Sequence, residues 1–152
     1  MPDFTSSATF SCSVSGLRAF LGNPKNLPSV SNPDLELEII VAPEVVTVGA
    51  KIEFRVSAYG FRQRATNEYT EVTEVLIAES QVDGPMRAWR HVQRFDSLPD
   101  GSTRLTDEVT FEPPGGMLGY LLTEARLRES LEEGMEFRYE TLQELIDSGE
   151  IR

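Results

Sequence analysis

The feature that most constrains this chain is a change of hydrophobic period near residue 113. Before it, apolar residues recur at every second position; after it, at every third or fourth. A period of two marks strands with one buried face, and a period near 3.6 marks an amphipathic helix. Phe4, Ser6, Ala8, Phe10 and Cys12 alternate with Thr5, Ser7, Thr9 and Ser11. Alternation returns in Leu35–Ala42, Lys51–Tyr59, a more polar Phe61–Tyr69, Val75–Val82, Arg87–Phe95 and Arg104–Glu112. The joints carry turn chemistry: Val48-Gly49, Gly60, Asp83-Gly84-Pro85 and Pro99-Asp100-Gly101-Ser102 supply positive φ or interrupt pairing. Pro113-Pro114-Gly115-Gly116 ends the pattern.

From Met117 to Ile146 there is no proline, and Leu127, Leu131, Met135, Arg138, Leu142 and Leu145 fall on one face. This predicts one helix of roughly 40 Å. Gly134 sits in that face, where glycine costs about 1 kcal/mol relative to alanine. It lets the helix approach the sheet, leaves room for something else, or is simply a tolerated glycine. After the first strand, Ser15 is placed to cap a short helix with Leu17, Phe20 and Leu21. Asn23 caps and Pro24 opens a second turn through Leu27, and Pro28 and Pro33 keep both pieces brief.

These elements predict an α+β fold in a single domain over residues 1–152, a length that suits one core. A twisted sheet has a concave face that needs covering, and the last helix is the only element long enough. A helix cannot fill a strongly curved sheet, so a cavity between the two is expected.

Charge and composition narrow the function. The net charge is −11, with 25 acids against 14 bases. No nucleic-acid partner is expected, because phosphates call for a basic footprint. Membrane anchoring is rejected too, since the last helix carries Glu129, Glu132, Glu133, Glu136 and Glu140 where a membrane-surface helix would be basic. Cys12 and His91 are each the sole residue of their type, too few for a structural zinc site or an internal disulfide. No metal and no cofactor is expected. Pro113–Gly116 lacks the Lys and Ser/Thr of a phosphate loop and is read as a loop at the cavity mouth. The first residues lack a signal peptide's basic and apolar regions, and no apolar run reaches bilayer length. The expectation is a cytoplasmic protein; the oligomeric state is left open.

Gly84-Pro85, the run Trp89-Arg90-His91-Val92-Gln93-Arg94-Phe95, and the run Leu105–Gly116 together resemble the START-like, helix-grip superfamily. Arg138 with Leu142 matches a further piece. The likeness is greatest to the bacterial polyketide cyclase/dehydratase-like branch. It differs at Gln93, where the family often has a second His, and near Met135, where it often has an aromatic. The resemblance implies a seven-stranded antiparallel sheet wrapped round a long C-terminal helix, with two short helices after strand 1 and a deep pocket. It does not imply one activity, since a fold hosts many.

Alternation puts Trp89, His91, Gln93 and Phe95 on one face of their strand, Leu105, Asp107, Val109 and Phe111 on one face of the next, and Ile77, Glu79 and Gln81 on one face of the strand before. Glu79, His91, Gln93 and Asp107 should then share the concave side. They could orient a ligand, move a proton through His91 with Asp107 or Glu79, or form only a satisfied internal network. Among the aromatics, Phe10, Phe20, Phe54, Trp89, Phe95 and Phe111 wall a pocket or fill the core.

The leading expectation is a small hydrophobic ligand, lipid- or polyketide-like. It would contact Trp89, His91, Gln93, Phe95, Glu79, Asp107, Val109, Phe111, Phe54, Leu131 and Met135. The alternatives are a cyclase or dehydratase with His91 as acid/base, assisted by Asp107 or Glu79, and a protein-interaction module using the acidic surface.

Overall fold

The computed structural model describes residues 1–152. Seven antiparallel strands form one sheet: β1 (Asp3–Phe10), β2 (Glu38–Val41), β3 (Lys51–Ala58), β4 (Phe61–Val72), β5 (Leu76–Asp83), β6 (Ala88–Ser97) and β7 (Thr103–Glu112), in the order β1-β7-β6-β5-β4-β3-β2. Helix α1 (Val14–Leu21) and three single 3₁₀ turns lie between β1 and β2; a short α2 (Leu118–Leu121) and the long α3 (Glu124–Asp147) follow β7. This is the α+β helix-grip architecture expected, with a seven-stranded sheet around a long C-terminal helix.

The register follows the alternation. In β7 every second residue from Thr103 to Phe111 is buried, and the others are exposed or half-buried. The β6–β7 hairpin is set by its turn. The Asp100 carboxylate accepts from the Ser102 backbone N–H at 3.0 Å and from its hydroxyl at 2.5 Å. The Leu98 N–H closes the loop onto the Ser102 carbonyl.

Three expectations are corrected in detail. Ser13, not Ser15, caps α1: its hydroxyl accepts from the Gly16 N–H at 3.0 Å. The stretch from Leu35 is strand only at Glu38–Val41, because Pro33–Leu35 winds as a 3₁₀ turn and a bulge between Ile39 and Val41 turns Val41 outward. The last helix does not run from Met117. Leu122 leaves helical geometry, and the Thr123 hydroxyl accepts from the Arg126 N–H to start α3 afresh. At 24 residues α3 spans about 36 Å.

The inward stripe of α3 is Leu127, Met135, Arg138 and Leu142, all buried. The helix does not lie centrally in the sheet. Tyr139 meets Phe10 of β1 edge-on, with ring centroids 6.0 Å apart. Arg128 donates to the Asp3 carbonyl at 2.7 Å and stands over the Phe111 ring of β7. Thus α3 covers the β1–β7 end of the sheet and leaves the middle strands facing open space.

Candidate functional site

That space is a cavity of about 340 Å³. Its walls come from β3 to β6, Ile39 of β2, the 3₁₀ region and the inner face of α3; no residue of β1 or β7 lines it. Twenty of its thirty-two lining residues are hydrophobic, so apolar contact dominates. Gly134 lines it as well: a Cβ there would meet no neighbouring atom within 4 Å. The glycine therefore leaves room rather than bringing the helix closer. At the rim, Tyr59 lines the cavity while 43% exposed, and its hydroxyl donates to the Arg126 carbonyl at 3.1 Å. This ties the β3–β4 turn to the start of α3.

Of the residues singled out in the sequence, Phe54, Glu79, Trp89, His91, Gln93, Leu131 and Met135 line the cavity. Phe95, Asp107, Val109 and Phe111 do not. Phe95 packs in the main core with Phe10, Ile77 and Leu142. Val109 and Phe111 pack beneath Leu127 and Met135. Asp107 is fully buried beside Tyr139. All four point inward as alternation requires, but Asp107, Val109 and Phe111 are on β7, where α3 fills the concave side. Among the remaining aromatics, Phe10 is core and Phe20 is half-buried against it. Pro113–Gly116 does not line the cavity; Pro85, Met86 and Leu122 do.

The polar end is built across strands. Glu79 is paired with His91 between β5 and β6, and Gln93 with Asp107 between β6 and β7. His91 Nε2 lies 2.7 Å from Asp107 Oδ1, and the Tyr139 hydroxyl donates to Asp107 Oδ2 at 2.8 Å. Burial by itself would raise the Asp107 pKa. The Arg138 guanidinium, His91 and Tyr139 outweigh it, and the carboxyl sits below its ordinary range. Asp107 is therefore an anion at neutral pH, so the hydrogen between it and His91 is carried on Nε2. His91 Nδ1 then has no protein partner.

Glu79 behaves oppositely. Burial pushes its pKa up, and His91, Asn67 and Arg138 only partly offset this. It is half-buried and lines the cavity. Gln81, on the same face, is otherwise engaged: its amide donates to the Met86 carbonyl at 2.7 Å and accepts from the Met86 N–H. That clamp holds the β5–β6 turn, and a Cβ on Gly84 would collide with the Gln81 amide oxygen.

Two buried polar members of the wall, Asn67 and Arg138, are not among the candidate residues. Asn67, in β4, reads in the sequence only as punctuation in a polar strand, and Arg138 as a position in the helical stripe and, with Leu142, as part of the family resemblance, with no site role attached. The signal for Arg138 is a charge in an otherwise apolar face. No three His, Cys, Asp or Glu side chains gather where they could hold a metal ion.

A seven-stranded sheet gripping a long helix, with a cavity between, defines the START-like helix-grip fold, and the chain has that fold. Solved structures agree. The protein TTHA0849 from Thermus thermophilus superposes with a TM-score of 0.70 at 19% identity, covering 97% of this chain and 99% of that one. A START superfamily protein from Mycobacterium smegmatis gives 0.72 at 11% identity, covering 96% and 97%. The Zhui aromatase/cyclase from Streptomyces sp. R1128 gives 0.66 at 18%, covering 94% and 89%. No protein-family model matches the chain, and no curated protein sequence matches it. No helix is long and apolar enough to cross a membrane.

Proposed function

We propose that this protein binds a small hydrophobic or aromatic molecule, lipid- or polyketide-like, in the cavity between the sheet and α3. The observation that carries this is a space of about 340 Å³ with mostly apolar walls and a polar cluster of Glu79, His91, Gln93 and Arg138. Phe54, Trp89, Leu131 and Met135 supply apolar contact, and the polar groups set orientation. A ligand burying about 300 Å² of apolar surface gains about 7 kcal/mol before the cost of lost freedom. A thermal-shift screen of lipids and polycyclic aromatics tests the reading. Binders raise the melting temperature; a melting temperature that responds to none of them counts against it.

A second reading is a cyclase or dehydratase of the bacterial polyketide type. It is favoured by His91, which lines the cavity with its Nε2 held by Asp107. One structurally similar protein is an aromatase/cyclase. In this reading His91→Ala loses turnover on a linear polyketide while still binding it; full turnover in that variant removes His91 from the chemistry.

A further inference from the structure

The polar end of the cavity holds a cation whose hydrogen-bonding capacity is unused. Arg138 reaches it from α3 and is only 8% exposed. Its Nε and Nη2 are buried with no hydrogen-bond partner. The adjacent carboxylate does not satisfy them. Asp107 Oδ1 is 3.7 Å from Nη2, beyond hydrogen-bond reach, and the two Asp107 oxygens are already taken by His91 and Tyr139. Glu79, the carboxyl that lines the cavity, makes no hydrogen bond to the guanidinium.

The chemistry of the unpaired edge is specific. Nε–H and one Nη2–H lie in the guanidinium plane along one edge and point nearly parallel. That spacing matches the two oxygens of a carboxylate. A ketone offers a single neutral oxygen, which the two donors must share. A phosphate brings more negative charge beside ionised Asp107, in a chain already at −11. Gln93 Oε1 is also buried and unpartnered, which gives a hydroxyl on the ligand a place to donate.

We propose that the cavity takes a monocarboxylic acid with an apolar body, its carboxylate paired with the Arg138 guanidinium, whose unpartnered Nε–H and Nη2–H edge is brought to the ligand by a small shift of the side chain. This rests on the cavity's being a ligand site and names the class of ligand.

The test uses matched pairs on the full chain near neutral pH: dodecanoic acid against dodecanol, and naphthoic acid against naphthylmethanol. Affinity is read by calorimetry and by fluorescence of Trp89, the sole tryptophan, which lines the cavity. In at least one pair the acid binds about tenfold or more tightly than its alcohol. Arg138→Met brings the acid down to the level of the alcohol measured in the same variant. Arg138→Lys restores only part, since a point charge lacks the fork. Equal binding of acid and alcohol by the native protein overturns the carboxylate assignment while leaving the cavity reading intact, and needs no variant. A preference that survives Arg138→Met overturns the role of Arg138. Binding of none of the four overturns this proposal together with the cavity reading for such bodies.

Discussion

Gly134 offers the sharpest test of the cavity, because stability and binding should respond in opposite directions. Glycine within a helix is less favourable than alanine by about 1 kcal/mol. The usual reason for keeping one is a close neighbour, yet a Cβ at Gly134 meets no neighbouring atom within 4 Å. Gly134→Ala therefore gains close to the full propensity difference with no steric charge against it. For 152 residues the unfolding entropy is about 320 cal/mol/K, so the melting temperature rises by about 3 °C. Calorimetry or urea denaturation reads this directly. Gly134→Leu carries the argument further. Its side chain enters the cavity from α3, so it keeps or exceeds the stability of Gly134→Ala while weakening any ligand that stabilises the native protein. A Gly134→Ala variant that melts at or below the native temperature would refute the reasoning, since the space next to the helix would then be filled.

Other outcomes follow from the buried network and the helix cap. Asp107→Asn leaves Arg138 buried without its nearest anion and lowers unfolding free energy by about 3–5 kcal/mol, seen as a shifted urea midpoint at unchanged slope. The native pH profile is set partly by the same carboxyl. With a folded pKa below its unfolded value, Asp107 contributes stability that is complete above about pH 4 and is lost as pH falls through the folded value. Glu79 has the reverse sign. Above about pH 4.3 the unfolded chain has released a proton that the folded chain still holds, so stability falls as pH rises toward the raised folded value. Glu79→Gln removes that fall, and its stability relative to the native protein increases with pH across the window. Ser13→Ala removes the α1 cap and the hydroxyl's 2.7 Å bond to the Arg152 carbonyl, costing about 1–2 kcal/mol by thermal or chemical melting.

Most of the fold was legible because alternation and turn chemistry are local. Ile52, Phe54 and Val56 announce a strand face, and Asp100-Gly101 announces its turn, whatever lies elsewhere. What local pattern does not carry is lateral position. Alternation placed Glu79, His91 and Asp107 alike on the inner face. Only the offset of α3 toward β1 and β7 separates the cavity-lining Glu79 and His91 from Asp107, which is sealed under Tyr139. Nothing in the order of residues encodes that offset. The start of α3 was hidden for a related reason: Leu121, Leu122 and Leu127 continue an apolar texture across the break, and Thr123 is a modest signal amid it. Arg138 is marked by the helical stripe and by the resemblance, but its place in the cavity wall depends on that same offset of α3.

The strand order has a consequence for how the molecule assembles. From β2 to β7 each strand pairs with its neighbour in sequence, so five pairings close through short loops. The exception is β1, which pairs with β7 across roughly a hundred residues of chain. The entropic toll of long-range closure thus falls on one edge, the edge against which α3 rests. A nascent meander of β2–β7 can zip up early, but the floor beneath the helix is complete only when the first ten residues return to it.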